Sequence, residues 1–147
     1  STGSILLKLK VDGQKASVET VWKNRNLDNQ HGGVILLGGH LYGSTLGGVW
    51  VCLDWKTGEK LYAERGVGKG SLTYADGRLY GLTQRGKMML IEPGAEGLSV
   101  VSAFDVPKKG RDFAFAHPVI CGGRLYARHS QNLCVYDLSS PSADKGK

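Results

Sequence analysis

The chain has 147 residues and a formal charge of +6, and it contains 22 glycines but only 4 prolines. Frequent glycine with so little proline indicates many tight turns in an otherwise apolar chain, and it argues against a disordered low-complexity tract. No run of 18 apolar residues and no capped helical stripe occurs, so the sequence predicts neither a transmembrane segment nor an α-helical domain.

Short strands separated by turns are predicted along the whole chain. A first pair, at 5–10 and 17–22, is joined by a turn at 11–14. Two groups of four strands follow, at 33–37, 41–45, 49–54 and 60–63, and then at 71–75, 79–83, 87–92 and 98–104. Three further strands are predicted at 117–121, 125–128 and 133–137.

A tetrapeptide of the form Gly-[His/Arg]-Leu-Tyr occurs three times in these groups. Its copies are Gly39-His40-Leu41-Tyr42, Gly77-Arg78-Leu79-Tyr80 and Gly123-Arg124-Leu125-Tyr126. Each copy begins the second strand of its group, and the copies recur about every 40 residues, a spacing typical of four-stranded propeller blades. The chain is therefore an array of one repeated unit.

The repeat predicts an all-β fold, a β-propeller of four-stranded antiparallel blades that is present as an incomplete arc. Two whole blades are expected at 31–66 and 67–110. Outer strands of a preceding blade are expected at 1–30, inner strands of a last blade at 111–138, and a flexible tail at 139–147. Closed propellers have about 4 to 8 blades. The remaining blades are therefore expected to belong to a longer chain, the interpretation we favour, or to another copy of this one.

The first whole blade carries a second motif after its third strand, Cys52-x-Asp54-x-x-Thr57-Gly58-Glu59-x-x-Tyr62. It resembles the docking motif of quinoprotein alcohol-dehydrogenase-like propellers, whose repeat is named for pyrroloquinoline quinone, with Cys in place of Ala and Tyr in place of Trp. Asp54 and Thr57 are expected to hydrogen-bond the turn, and Gly58 to supply a positive φ angle. Tyr62 is expected to place its ring between blades, and Trp22 to do the same for the preceding partial blade.

The resemblance implies a fold and a compartment more than an activity. Dehydrogenases of that superfamily hold the quinone and a calcium ion over the central channel, often beside two adjacent cysteines, but this chain has no adjacent cysteines and no matching set of calcium ligands. The family also contains outer-membrane assembly scaffolds and exported bacterial proteins without known activity. The resemblance therefore implies a non-catalytic scaffold or binding module of a periplasmic or otherwise exported protein. The alternative is a quinoprotein-like dehydrogenase whose catalytic residues lie outside this chain. Pyrroloquinoline quinone and calcium are expected as cofactors only under that alternative.

Polar residues at the beginning of each first strand are expected to gather at one mouth of the propeller channel. They are Asn29, Gln30, His31, Lys69, Ser71, Arg111, Asp112 and His117. Histidines, a lysine and an acid together can bind a small polar ligand or a protein partner. The other interpretation is that they hydrogen-bond neighbouring loops and water in a wet channel.

Other function classes find little support in the sequence. The basic residues form no stripe with interleaved aromatics, so no nucleic-acid partner is predicted. Four histidines and three cysteines lack the spacings of zinc ligands, and no catalytic set can be named. The cysteines, at Cys52, Cys121 and Cys134, form no disulfide framework and are predicted to be buried free thiols.

Overall fold

The computed structural model describes residues 3–65, 67–108 and 112–139, and every regular element in these ranges is a β-strand. The strands are β1 (Ser4–Asp12), β2 (Lys15–Asn24), β3 (Val34–Leu37), β4 (His40–Ser44), β5 (Trp50–Asp54), β6 (Lys60–Glu64), β7 (Gly70–Ala75), β8 (Arg78–Thr83), β9 (Lys87–Glu92), β10 (Ser99–Asp105), β11 (Val119–Cys121), β12 (Arg124–His129) and β13 (Asn132–Asp137). Each predicted strand is present, with bounds that differ by at most about two residues, the usual uncertainty of strand ends.

Antiparallel pairing between consecutive strands produces four separate sheets. We call β1–β2 the leading sheet, β3–β6 blade 1, β7–β10 blade 2 and β11–β13 the trailing sheet. The first strands of the last three sheets are neighbours, because β7 contacts both β3 and β11. The architecture is therefore the predicted one: an all-β, propeller-like open arc of two complete four-stranded blades between two partial ones. The predicted boundaries at 66/67 and 110/111, and the predicted tail at 139–147 except for its first residue, involve residues outside the described ranges.

The repeated Leu-Tyr pair explains how one blade packs on the next. Adjacent residues of a strand point to opposite faces of its sheet. Leu41 accordingly lies in the apolar cluster between the leading sheet and blade 1, whereas Tyr42 lies in the cluster between blades 1 and 2. Leu79 faces back into that second cluster, and Tyr80 packs against the cluster shared with the trailing sheet. The first two copies of the tetrapeptide thus each join two interfaces, and in the third copy Leu125 lies in the cluster shared with blade 2.

The glycine of each tetrapeptide makes the turn that precedes β4, β8 or β12. Gly39, Gly77 and Gly123 all have positive φ angles, between 71° and 82°. Residues with a Cβ adopt this conformation at a cost, whereas glycine adopts it readily. The tetrapeptide therefore combines the turn and the two packing residues of a blade in four positions.

Both ends of the arc expose apolar side chains. On the leading sheet, Leu9 and Val11 are 71% and 75% exposed, while Lys10 on the other face forms an ion pair with Glu19. On the trailing sheet, Leu133 is 63% exposed. Apolar and charged side chains alternate along the second half of β1, as in a sheet with one apolar face. No other described residues cover that face.

The cysteines are free, as expected, but they are not all buried. Cys52 is fully buried and Cys134 is half-buried, whereas Cys121 is exposed. The prediction of a buried thiol was wrong for Cys121 because it shares with Val119 the uncovered face of β11.

Candidate functional site

The mouth of the arc is formed by the segments that lead into β3, β7 and β11. Because β3 and β4 are antiparallel, as are β7 and β8, the ends of β4 and β8 lie at the same mouth. Five of the eight predicted residues come together there, namely Gln30, His31, Lys69, Ser71 and His117. The Lys69 ammonium donates to the Gln30 side-chain oxygen over 2.6 Å, which joins the lead-in segments of the two complete blades.

His117 connects the trailing sheet with both blades. Its Nε2 lies 3.0 Å from the carbonyl oxygen of His31, and its Nδ1 lies 3.3 Å from that of Leu72. A doubly protonated imidazole donates to both oxygens, whereas the neutral ring donates to one. The ring also lies against Gly33, where a Cβ would be 2.9 Å from Cε1. Close approach of the ring therefore depends on the glycine.

Ser71 makes a parallel link between blade 2 and the trailing sheet. Its hydroxyl donates to the carbonyl oxygen of Ala116 over 3.1 Å, and Thr73 donates to that of Pro118. Together with the His117 contacts, these bonds tie the mouth of one blade to the next. Such bonds between loops are what we expect if the polar residues of the mouth serve to hydrogen-bond neighbouring loops.

His31 is the mouth residue whose ring nitrogens are unsatisfied. Both nitrogens are shielded from water and lack a hydrogen-bond partner. The ring meets Phe115 edge to face, with centroids 5.0 Å apart. Burial lowers the pKa of His31, and the positive charges of Lys69 and His117 lower it further, so the ring is neutral at neutral pH.

The remaining predicted mouth residues do not join this group. The Asn29 amide donates to the carbonyl oxygen of Gly33 within its own loop, over 2.7 Å. The Asp112 carboxylate accepts from the Ser130 hydroxyl, over 2.7 Å, and so bonds to the trailing sheet. Arg111 lies outside the described residues.

His129, the last residue of β12, is a fully buried histidine that the sequence predictions do not include. Its Nε2 lies 2.8 Å from the carbonyl oxygen of Asp112, and its Nδ1 has no partner. The ring sits on Gly86, where a Cβ would be 2.4 Å from Nδ1. Nothing in the local sequence separates it from an exposed turn residue, because burial depends on the lead-in segment that crosses over it.

A cavity of about 470 Å³ opens beside Lys69 at the same mouth. Arg65, from the end of blade 1, and Arg85, from the turn between β8 and β9, line it together with Lys69. Neither arginine was predicted from the sequence, because neither occupies a repeated position. The only feature of the sequence that indicates them is their position, since Arg65 lies in the connection before β7 and Arg85 in the turn after β8.

The docking motif forms a compact turn at residues 54–59. One carboxylate oxygen of Asp54 accepts from the Thr57 N–H, over 2.8 Å, from the Thr57 hydroxyl, over 3.0 Å, and from the Lys56 N–H, over 2.9 Å. These bonds, above all those from Thr57, hold the pKa of Asp54 below its usual value. Gly58 has a φ of +73°.

The leading sheet docks on this turn. The Trp22 indole donates to the carbonyl oxygen of Trp55 over 2.9 Å, and the amides of Asn24 and Asn26 both donate to that of Gly58, over 2.8 and 2.9 Å. A Cβ on Gly58 would be 2.7 Å from the Trp22 ring. The glycine thus allows both the turn and the close approach of the aromatic ring.

Tyr62 and Cys52, at the two ends of the motif, face the next interface. Cys52 is buried in the cluster between blades 1 and 2, and Tyr62 packs against that cluster. Burial raises the pKa of the Cys52 thiol to about 11 and that of Tyr62 well above its usual value. The thiol is therefore protonated at neutral pH and has the character of a small apolar residue.

Across 3–65, 67–108 and 112–139, no group of three or more His, Cys, Asp or Glu side chains is placed to hold a metal ion. Nowhere in these ranges is there a helix long and apolar enough to cross a membrane.

Comparison with known proteins supports the fold alone. No family model matches the sequence. No curated protein matches it either. Among solved structures, BamB from Moraxella catarrhalis, a β-propeller, is similar with a TM-score of 0.61 and 18% identity over 80% of this chain. The computationally designed Ika8 protein is similar with a TM-score of 0.52 and 11% identity over 88% of it. The chain spans 33% of the length of the BamB structure and 45% of that of Ika8.

Proposed function

We propose that this chain is part of a non-catalytic β-propeller binding module that engages a small polar ligand or a protein partner at its channel mouth. The observation that carries the proposal is the cavity of about 470 Å³ at that mouth, to which both blades contribute side chains. Its volume is in the range of small-ligand sites, about 300 to 1,000 Å³.

The hydrogen bonds of the mouth support a binding role because they make the surface rigid. His117 and Ser71 are held on backbone carbonyl oxygens of neighbouring segments, and Lys69 is held on Gln30. Side chains fixed in this way lose little conformational entropy when a ligand binds. Hydrogen bonding of neighbouring loops and ligand binding, the two interpretations of these residues, are therefore compatible. The bonds order the loops, and they also position the groups beside the cavity.

The proposal extends to the compartment and to the rest of the propeller. Resemblance of the docking motif to exported family members supports a periplasmic or otherwise exported protein. The apolar faces at both ends, with Leu9 and Leu133 exposed, support further blades from a longer chain as their cover. Sedimentation tests this second part: the isolated chain should self-associate through these faces, and a stable, monodisperse monomer would contradict it.

An amide-resolved NMR titration of the chain with neutral and charged small polar molecules tests the binding role. Chemical-shift changes are expected in segments 28–33, 67–71 and 112–118 at the mouth. Segments 38–41, 76–79 and 122–125, at the opposite ends of the same strands, should not respond and serve as the internal control. Responses confined to those opposite ends, or none with any molecule, would contradict the proposal.

The alternative function, a quinone-dependent alcohol dehydrogenase, requires catalytic and calcium-binding residues outside this chain. It is tested with the full-length protein, reconstituted with pyrroloquinoline quinone and calcium. We expect no dye-linked alcohol oxidation. Oxidation that depends on both additions would replace the binding proposal with the enzymatic one.

A further inference from the structure

We propose that the mouth cavity binds an oxyanionic group, a phosphate or a carboxylate, of its ligand. This inference rests on the proposed binding function and names the chemical class of the ligand. It follows from the charges around the cavity, from the hydrogen-bond donors that these charged groups leave unused, and from the glycines that keep the cavity open.

Among the residues that the structure describes, three cationic side chains line the cavity and no acidic one does. Arg65 and Lys69 lie at the two ends of the connection between β6 and β7, and Arg85 lies in the turn between β8 and β9. The ion pairs found among the described residues involve other cations, namely Lys10, Arg78 and Lys87. Asp28 lies next to the rim, where its carboxylate accepts from the backbone N–H of Leu46.

The unused donors suit a planar or tetrahedral oxyanion. An ammonium has three donors, and the Gln30 oxygen occupies one of those on Lys69. Each guanidinium presents a fork of N–H groups that matches two oxygens of a carboxylate or phosphate. Three cations around one cavity therefore favour a ligand that carries more than one negative charge.

Three glycines line the cavity and contribute no side chain to its volume. Gly48, in the turn between β4 and β5, has a φ of +76°, and a Cβ there would be 3.0 Å from the backbone nitrogen of Lys69. Gly47 and Gly68 line the cavity as well. Side chains at these positions would fill the space between the cations, so the small residues and the charges together form the site.

Exposure of the arginines sets the expected strength of binding. Arg65 and Arg85 are solvent-exposed, and salt at physiological ionic strength weakens interactions between exposed charges and largely screens them beyond about 8 Å. Affinity is therefore expected to be modest and to fall by about tenfold or more when the salt concentration rises from 50 mM to 500 mM.

Calorimetric titration of the 147-residue chain with pyrophosphate, and separately with citrate, tests the inference. Binding of either is expected, and the difference between them tells whether phosphate or carboxylate is preferred. The double variant Arg65→Gln/Arg85→Gln should raise the dissociation constant at least about tenfold, since two charge-assisted contacts are lost. Circular dichroism verifies that each variant keeps its strands.

Arg78→Gln/Arg124→Gln is the matched control. It removes the same charge from the repeated tetrapeptides at the opposite end of the strands, and it should change the dissociation constant by less than about twofold, because screening limits its reach. Equal losses in the two double variants, or no binding of either anion to the wild-type chain, would overturn the inference. If neutral polar molecules still shift the mouth amides, only the anionic ligand class is refuted. If nothing shifts them, the binding function is refuted as well.

Discussion

The first and second blade interfaces reach similar packing by different means. Between the leading sheet and blade 1, Trp22 and two asparagines hydrogen-bond the docking turn around Gly58 at the outer rim. Between blades 1 and 2 the corresponding segment reads Glu92-Pro93-Gly94, and the interface contains a larger apolar cluster around Trp50. Stacking of blades therefore does not require the docking motif where enough apolar surface is buried.

Removing the central side chain of the second interface should have the largest effect. Trp50 is 2% exposed, and its indole donates to the carbonyl oxygen of Gly68 over 2.6 Å. Trp50→Ala should lower the free energy of unfolding in urea by about 3 to 5 kcal/mol. Trp50→Phe keeps most of the packing and should cost less than half as much. Equal losses in the two variants would mean that the hydrogen bond, and not the apolar cluster, holds this interface.

A smaller but specific effect is expected at the first interface from Gly58→Ala. The new Cβ would meet the Asn24 amide at 2.5 Å and the Trp22 ring at 2.7 Å, at a φ of +73°. We expect a loss of about 2 to 3 kcal/mol in the free energy of unfolding, from backbone strain and displaced docking together.

Gly77→Ala isolates the backbone part of that loss. Gly77 has nearly the same φ, +74°, but nothing lies within 4 Å of its Cβ position. Its substitution should cost about 1 kcal/mol. If the Gly58 and Gly77 variants lose equal stability, close docking of Trp22 contributes nothing.

The smallest effect concerns the pH dependence of the docking turn. Hydrogen bonds from Thr57 and Lys56 lower the pKa of Asp54 in the folded chain, so its carboxylate stabilises the fold above its unfolded pKa, about 3.9. This stability is lost as the pH falls through the folded value. The difference in urea midpoint between wild type and Asp54→Asn should therefore narrow from pH 6 to pH 3. A constant difference would show that the charge on Asp54 is irrelevant to the turn.

The strands were predictable from the sequence because they depend on local, repeated patterns. Each Gly-[His/Arg]-Leu-Tyr copy sets the turn and the alternation of its own strand, and the register of the neighbouring strands follows. The contacts of the docking turn are similarly local, since Asp54 bonds residues two and three positions ahead of it.

The site was only partly predictable because its residues meet through crossing segments. First-strand positions indicated His31, Lys69 and His117, but not that His117 would bond two carbonyl oxygens of other blades. Arg65 and Arg85 lie in turns that the repeat does not specify. Their convergence follows from how one blade stacks on the next, which no single segment encodes.

Hydrogen–deuterium exchange with and without pyrophosphate tests most directly whether the mouth is the binding surface of this chain. Pyrophosphate bound in the cavity should slow exchange in peptides covering 67–70 and 83–86. This slowing should disappear in Arg65→Gln/Arg85→Gln. Peptides covering 38–41 and 76–79 should be unchanged. Slowing at those opposite turns, or none at the mouth at saturating pyrophosphate, would contradict the account.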